Sequence, residues 1–546
     1  MHPKYLKRKK RVYACFIDYR KAFDTVCREA LLFKLHELGI SGRFFDCMEY
    51  MYKNSKARIK LINKISDTID ILIGTEQGHP MSPELFKCYL LELSSDLDSP
   101  ADLNVPEING KKVSHLLWAD DLVLLALDVP SLQKLIDIAK DYCARWGLTV
   151  NISKTAIMVF NKSGRLLNES NNFKIGNTVI QSVKEYCYLG ITFSLSGSFT
   201  KTQDELKKKG LRAYFSLKKL IDLKALSIKS LFKLFDALIV PVIGYGCQVW
   251  LSSTKLLKLI ANGKQLKDTK NSLIKIASDP LERIHIKFLK WSFSVHAKAS
   301  NLACWGDSGR VPLVIQLLKQ TSDYFKRLEH LDNSDVDCLA RHAFAEQREN
   351  MLPWYSNTLN FIENIGLTTA SPSLTIRDKT TQIFNDIWWM TARNSSKLKF
   401  YTKIKTSIGY EPYLSLKDIR KRRAIARLRF SCHRLNIETA RYSYASLSTN
   451  QDSIIWNKCC NICSDDNVEL LISLPFAEPI LEDEEHALVT CPMYQHIRYM
   501  LDDTTKSALI SRDEERLKDL FNVEHIYTFS TYVMKIFQLR FPKTAS

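Results

Sequence analysis

The sequence predicts an α+β protein, in which an antiparallel sheet carries helices on one face and is followed by a long helical region. Two observations predict this fold. Within the first 160 residues, short apolar runs rich in β-branched and aromatic residues alternate with stretches whose apolar residues recur at helical spacing. Beyond about residue 200, helical spacing continues with few breaks as far as residue 441.

The first elements are a strand and two helices. Residues 12–17 are short, apolar and β-favouring, which is typical of a buried strand. A helix follows, and a loop over 74–83 leads to a second helix. The residues that define these helices are Leu31, Leu32, Leu35 and Leu38, ended by Gly39, and then Leu85, Phe86 and Tyr89.

A β-hairpin is predicted next, because residues 113–118 and 122–127 are apolar and Asp120 and Asp121 lie between them. Apolar residues at helical spacing then predict a helix that begins near Ser131 and ends at Gly147. Another strand, within 148–160, completes the sheet.

The composition of the chain limits which class of protein it can be. Lys and Arg number 78 against 59 Asp and Glu, a surplus of +19, which favours a polyanionic partner such as a nucleic acid. The 546 residues suffice for roughly three or four domains. The 14 cysteines show no regular framework, so reduced, intracellular thiols are expected. No apolar run reaches the length of a membrane span, and no membrane partner is predicted.

Three aspartates are the candidate catalytic residues. Asp18 ends the first strand, and Asp120 and Asp121 occupy the hairpin tip, so neighbouring strands would bring the three carboxylates together. Clustered carboxylates repel one another unless a cation lies among them, and hard oxygen ligands suit Mg²⁺. Two such ions stabilise the attacking and leaving oxygens of a phosphoryl displacement. The alternative is a pair of aspartates that only caps a turn.

Five ordered segments resemble motifs A to E of the reverse transcriptases of LINE-type (non-LTR) retrotransposons. They are Phe16-Ile17-Asp18-Tyr19-Arg20-Lys21-Ala22-Phe23-Asp24; Gln77-Gly78-His79-Pro80-Met81-Ser82-Pro83; Trp118-Ala119-Asp120-Asp121; Gly147-Leu148 through Asn151 to Lys154-Thr155; and Tyr188-Leu189-Gly190. The resemblance implies a polymerase palm followed by a helical thumb. It also implies an RNA-directed DNA polymerase that acts in the nucleus on template RNA, primer DNA and deoxynucleoside triphosphates.

The resemblance assigns the metal ligands. Asp18 and Asp120 would be the principal ligands of two Mg²⁺ ions, and Asp121 the third carboxylate, closer to the primer end. The backbone carbonyl of Tyr19 would complete the nucleotide-side ion. The primer 3′-hydroxyl would then attack the α-phosphate in line.

The resemblance also assigns nucleotide-binding residues. Phe23 would lie under the incoming sugar and exclude a 2′-hydroxyl, although it could equally be a core residue. Gln77 and Gly78 would face the incoming nucleotide and the template base. Lys154 would place a cation near the triphosphate, or would simply be a solvated lysine.

The sequence departs from the family pattern in several places. His79 replaces the usual Asp or Cys, Glu76 stands where Arg or Lys is commoner, and Trp118 replaces Phe or Tyr. Only 17 residues precede Asp18, so we expect a chain that lacks its fingers motifs and is truncated at its N-terminus. The alternatives are a catalytically inactive, nucleic-acid-binding remnant and a group II intron-type maturase.

A second candidate site lies near the C-terminus. Cys460 and Cys463 are separated by two residues; 22 residues (464–485) then precede His486, and Cys491 follows after four more. Three thiolates and an imidazole suit a closed, structural Zn²⁺ site, and the alternative is a set of ordinary buried cysteines. The pattern also resembles the CCHC knuckles near the C-termini of LINE-type proteins.

Charged segments flank this cluster. Residues 417–434 predict a basic amphipathic helix that binds phosphates, or else a solvated helix surface. Its candidate nucleic-acid-binding residues are Arg420, Lys421, Arg422, Arg423 and Arg427. The acidic residues 482–485 are predicted to form a solvated loop.

Five regions are therefore predicted. They are a reverse-transcriptase palm with most of its fingers absent (1–160), the primer grip and thumb (161–250), a helical scaffold (251–415), the basic helix with a CCHC zinc knuckle (416–500) and a C-terminal tail (501–546).

Overall fold

The structure, a computed structural model, describes residues 5, 10–62, 64–76, 78–167, 173–254, 257, 269–330, 338–433, 435, 437, 460, 463, 481–511 and 514–540. The chain divides into two compact units, Met1–Thr202 with Leu328–Ser356, and Gln203–Arg327 with Asn357–Ser546. The sequence also predicts loops over residues 252–271 and 332–337, which lie mostly outside the described residues.

The strands all belong to the first unit. In chain order they are β1 Val12–Ile17, β2 Lys56–Ala57, β3 Lys60–Leu61, β4 Lys64–Ile65, β5 Ile69–Asp70, β6 Glu107–Ile108, β7 Lys111–Lys112, β8 His115–Trp118, β9 Asp121–Ala126, β10 Ala156–Phe160, β11 Lys174–Ile175, β12 Thr178–Val179, β13 Gln181–Ser182, β14 Glu185–Tyr188 and β15 Ile191–Ser194.

The helices, in chain order, are α1 Arg28–Glu37, α2 Arg43–Lys53, α3 Ser82–Asp98, α4 Val129–Trp146, α5 Thr200–Leu220, α6 Ile228–Leu238, α7 Val240–Ile243, α8 Cys247–Trp250, α9 Thr269–Ala277, α10 Glu282–Ser292, α11 Asn301–Ser308, α12 Leu313–Glu329, α13 Leu339–Glu349, α14 Pro353–Asn364, α15 Ser373–Arg393, α16 Lys399–Ile404, α17 Ile419–Arg429, α18 Gln495–Arg498, α19 Asp503–Ile510, α20 Glu514–Asp519 and α21 Ile526–Arg540. The predicted α+β class is confirmed, and none of the described helices is long and apolar enough to span a bilayer.

The central sheet has five strands in the order β13-β10-β1-β9-β8. The hairpin β8–β9 and both pairings of β1 are antiparallel, as predicted. The edge strand β13 is an exception, because it pairs with β10 in parallel. The sheet is therefore antiparallel in its four longer strands only.

Alternation along β1 separates the two layers that cover it. Tyr13, Cys15 and Ile17 belong to the core shared with helices α1, α3 and α4, and Phe16 belongs to a second core on the opposite face. On that second face, Tyr186 of the β14–β15 hairpin stacks on Phe16 with ring centroids 4.2 Å apart. One face thus carries helices, as predicted, and the other carries a hairpin.

Two predicted boundaries in the first unit were wrong. Helix α4 begins at Val129, not near Ser131, because the Asp128 carboxylate accepts a hydrogen bond from the Ser131 amide at 2.9 Å and caps the helix. The last predicted strand begins at Ala156, and residues 148–155 form turns. These turns contact Asp18.

Part of the predicted central scaffold packs with the first unit. Helix α13 supplies Glu346, which is buried and accepts a hydrogen bond from the Asn109 amide at 2.9 Å. Asn109 lies in the tight turn between β6 and β7, with a φ of 45°.

The second unit is helical in its described part and contains an ion cluster in which Asp307 and Arg429 are fully buried. Asp307 on α11 accepts two hydrogen bonds from Arg429 on α17, at 2.7 and 2.8 Å, and one each from Tyr401 and Tyr413 at 2.9 Å. Glu411 also lies 2.9 Å from Arg429. Burial alone would lower the pKa of Arg429, but the carboxylates of Asp307 and Glu411 raise it above its usual value.

Gly74 is expected to tolerate substitution poorly. Its φ is +84°, and an added Cβ would lie 2.7 Å from the Asp24 carbonyl oxygen. Gly39 is a matched control, because its φ is +82° and nothing lies within 4 Å of its added Cβ. Both Gly→Ala variants strain the backbone by about 1–3 kcal/mol. We expect Gly74→Ala to lose about 1–3 kcal/mol more, from overpacking, in urea unfolding. Equal losses in both variants would show that the contact does not matter.

Candidate active site and metal cluster

The β1–β9 register brings two of the three candidate aspartates together. Ile17 pairs with Leu122, so the next antiparallel pair along the same register is Asp18 with Asp121. Alternation places both on the face of Phe16, away from the helical layer. On the same hairpin, Trp118 pairs with Asp121, and its side chain is 66% exposed.

Asp120 lies in the tight turn of the hairpin, where Ala119 has a φ of 53°. The three carboxylates interact electrostatically: burial first, and then Asp120 and Asp18, raise the pKa of Asp121 above its ordinary value. A cation at this end of the sheet would relieve that repulsion, and the donors are hard oxygens.

The β14–β15 hairpin lines the same face as these carboxylates. Burial first, and then Asp18 and Asp121, raise the pKa of Tyr186 to about 12. The turn of the hairpin is Leu189-Gly190, with φ of 47° and 77°. The sequence singled out Tyr188 as part of motif E but not Tyr186, whose alternation with Tyr188 along one strand was the available signal.

The C-terminal cluster is compact. Cys460, Cys463, His486 and Cys491 are all buried, and their ligand atoms lie within 4.8 Å of one another. Cys460 Sγ and Cys463 Sγ each lie 3.9 Å from Cys491 Sγ, and Cys463 Sγ lies 3.4 Å from His486 Nε2. Tetrahedral zinc ligands would stand roughly 3.5–3.8 Å apart. The cluster is therefore compatible with zinc.

Comparison with known proteins identifies the N-terminal part of the chain. The family model described as "Reverse transcriptase (RNA-dependent DNA polymerase)" matches residues 2–193. Residues 2–193 form a reverse-transcriptase domain. This is the segment that contains the three aspartates and all five predicted motifs.

Proteins similar to this reverse-transcriptase domain come from retrotransposable and mobile elements. A Pol polyprotein from the type-1 retrotransposable element R2 of Popillia japonica is 32% identical over 191 residues, which are 33% of this chain and 30% of the relative. The RNA-directed DNA polymerase from the mobile element jockey of Drosophila funebris is 23% identical over 252 residues, 45% of this chain and 26% of the relative. The chain thus spans less than a third of the length of either relative.

The predicted nucleotide-binding residues of the reverse-transcriptase domain differ from one another in their burial and contacts. The Tyr19 side chain is buried against the helical layer, and its hydroxyl has no hydrogen-bond partner. Phe23 is half-buried and packs on Phe86, with ring centroids 4.8 Å apart. Gly78 is exposed with a φ of 89°, and Lys154 is exposed in the turns before β10. Gln77 lies outside the described residues.

A buried arginine in the reverse-transcriptase domain was not anticipated. Arg28, at the start of α1, donates to the carbonyl oxygens of Gly74 at 2.9 Å and Tyr52 at 2.6 Å. Beside it, the Thr75 amide donates to the Phe23 carbonyl at 2.8 Å. Arg28 therefore fixes the segment that leads into motif B close to motif A. Nothing in the sequence indicated this role, because a charged residue at the start of a helix is usually exposed.

Residues 482–485 do not form the solvated loop that was predicted. Glu482 is buried and pairs with Arg540 at 2.8 Å, and Glu484 is buried and contacts His433 at 2.9 Å. Glu485 pairs with Lys403 at 2.7 Å. The prediction was wrong because these partners are remote in sequence.

The predicted basic helix is α17, and the structure separates its candidate residues. Lys421 and Arg422 are buried, with the Lys421 ammonium 3.2 Å from the centre of the Tyr527 ring on α21. Arg423 is half-buried. Arg420 and Arg427 are exposed, and Arg420 pairs with Asp418 at 3.3 Å. Helix α21 packs on α17, so only part of the basic surface faces solvent.

Proposed function

We propose that this chain is an RNA-directed DNA polymerase of a non-LTR retrotransposon, which adds deoxynucleotides to a primer 3′-hydroxyl on an RNA template. The observation that carries the proposal is the arrangement of Asp18, Asp120 and Asp121 at one end of the β1–β9 pair, within a reverse-transcriptase domain. We further propose that this polymerase acts in the nucleus.

The donor set fits two Mg²⁺ ions, held by Asp18, Asp120 and Asp121. Bound there, the ions would stabilise charge on the attacking and leaving oxygens. The protein would position the substrates: the Leu189-Gly190 turn would lie beside the primer end, Tyr19 would offer its backbone carbonyl, and Lys154 would place a cation near the triphosphate. Gln77 and Gly78 would contact the nucleotide and the template base, with Gly78 allowing close backbone approach.

Primer extension tests this function. The full chain, given an RNA template, an annealed DNA primer, four deoxynucleoside triphosphates and Mg²⁺, is expected to extend the primer to the template end. Omitting one nucleotide should stop extension at its complement, and chelating Mg²⁺ should abolish it. A chain that binds the template–primer and adds nothing would contradict the proposal and indicate a nucleic-acid-binding remnant.

Phe23 is expected to select against ribonucleotides. Its ring is held by packing on Phe86, so it could present a fixed surface to the sugar. Phe23→Ala should reduce the preference for deoxynucleotides by roughly 10- to 200-fold, the range that steric discrimination supplies. The measurement is the ratio of kcat/KM for a deoxynucleotide to that for its ribonucleotide. An unchanged ratio, with the fold intact, would assign Phe23 to the core alone.

For the C-terminal cluster we propose a structural zinc site. All four ligands come from the protein, and the spacing of their atoms is compatible with a tetrahedral ion. The Nδ1 atom of His486 lies 2.9 Å from the Thr490 hydroxyl, which leaves Nε2 for the ion. Arg498 donates to the Cys491 carbonyl at 2.8 Å and so links the site to α18. We further propose that Arg420 and Arg427, at the exposed side of α17, contact nucleic-acid phosphates.

Removing the ion should unfold the C-terminal region. Structural zinc contributes about 10–16 kcal/mol of apparent binding free energy in small zinc-finger peptides, so Cys460→Ser or chelation should melt this region first. Atomic absorption should find one zinc per chain in the parent and none in the variant. Cys432→Ser is the control, since Cys432 is outside the cluster. The site would be contradicted if the parent contained no zinc and had the same melting temperature as Cys460→Ser.

A further inference from the structure

Asn151 contacts Asp18 through its main chain and its side chain. The Asn151 amide N–H donates to the Asp18 carbonyl at 2.7 Å, and Asn151 Nδ2 donates to Asp18 Oδ2 at 2.9 Å. The Asp18 N–H donates in turn to the Thr155 hydroxyl at 3.3 Å. The turns between α4 and β10 therefore contact the main chain of Asp18 on both sides and its carboxylate.

A hydroxyl sets the direction of the Asn151 amide. The Ser153 hydroxyl donates to Asn151 Oδ1 at 2.8 Å, so the oxygen of the amide is engaged and its NH₂ group faces Asp18. One asparagine donor occupies one lone pair of Oδ2. The other carboxylate lone pairs of Asp18 remain for a cation.

We propose that Asn151 is a positioning residue that presents the Asp18 carboxylate to a divalent cation, with Ser153 orienting its amide. The inference rests on the proposed function, since it assigns the cation to the polymerase site. A fixed rotamer matters because a displacement of about 1 Å in a reacting site can lower a rate about 100-fold. Outer contacts of metal ligands typically contribute 10- to 100-fold in metal affinity or activity.

The experiment uses Mn²⁺ as a probe for the site. Binding to the zinc-supplemented full chain is followed by electron paramagnetic resonance of free Mn²⁺, with no substrate present. We expect Asp18→Asn to remove the tightest site, Asn151→Ala to weaken it about 10- to 100-fold, and Ser153→Ala to weaken it less. Asn54→Ala, which alters an exposed asparagine at the end of α2, should bind as the parent does.

Two further readouts separate positioning from folding and from activity. Thermal unfolding in EDTA should show the variants folded; if Asn151→Ala is not, Ser153→Ala carries the test. In primer extension, Asn151→Ala should need more Mg²⁺ for half-maximal rate. Unchanged Mn²⁺ affinity in Asn151→Ala and Ser153→Ala, with Asp18→Asn impaired, would overturn the inference. A parent that makes no DNA while Asn151→Ala still weakens Mn²⁺ binding would sink the polymerase proposal and leave this one standing.

Discussion

Replacing Asp18 by Asn is expected to lower the rate of DNA synthesis by at least about three orders of magnitude. A metal ion in this role contributes several kcal/mol to the transition state, and each 1.36 kcal/mol is a factor of ten in rate. Asn is isosteric with Asp and can still accept the hydrogen bond from Asn151. It also removes one of the charges that raise the pKa of Asp121, so the fold should be retained.

The measurement is single-turnover incorporation of one deoxynucleotide at saturating Mg²⁺. Asp120→Asn should lose as much activity as Asp18→Asn. Asp137→Asn, on the exposed surface of α4, is the control and should react at the parental rate. If Asp18→Asn or Asp120→Asn matched the parent, the site would be assigned to the wrong carboxylates.

Asp307→Ala is expected to destabilise the second unit by about 3–5 kcal/mol. The variant leaves Arg429 fully buried with only Glu411 as its carboxylate partner, and removing one partner of a buried ion pair typically has a cost of this size. It also removes the acceptor of the Tyr401 and Tyr413 hydroxyls. The free energy of unfolding in guanidinium chloride measures the loss.

Two further variants serve as controls for this prediction. Asp323→Ala breaks a half-exposed pair with Lys319 on α12 and should cost at most about 1 kcal/mol. The double variant Asp307→Leu/Arg429→Met should recover much of the loss, because apolar replacement of a buried pair is often close to neutral. A loss below 1 kcal/mol for Asp307→Ala would mean that water reaches the cluster.

The sequence predicted the end of the sheet that carries Asp18 and Asp121 well, since local patterns determine its geometry. Strand alternation and the hairpin turn place Asp18 and Asp121 on one face once β1 pairs with β9. The α+β class followed from the same periodicities. The start of strand β10 was predicted too early. Residues 151–155 form turns instead, because they are held by hydrogen bonds to Asp18, which is remote in the chain.

Long-range contacts explain most of what the sequence did not predict. Arg429 is one of several basic residues in its segment, and nothing local marks it as the partner of Asp307, 122 residues away. Lys421 and Arg422 looked like a phosphate-binding face, but Lys421 packs on Tyr527 of α21 and Arg422 donates to the Leu416 carbonyl at 3.2 Å. The clustering of Cys460, Cys463, His486 and Cys491 could be predicted, because their spacing in the sequence is typical of metal ligands.

We propose above all that Asp18, Asp120 and Asp121 hold the ions of nucleotidyl transfer. The most direct test is anomalous scattering from Mn²⁺ in crystals of the full chain with an RNA template, a DNA primer and an incoming deoxynucleotide. We predict two Mn²⁺ peaks about 3.5–4 Å apart, both coordinated by Asp18 and Asp120. No Mn²⁺ peak at these carboxylates, with the nucleotide bound elsewhere on the domain, would contradict the claim.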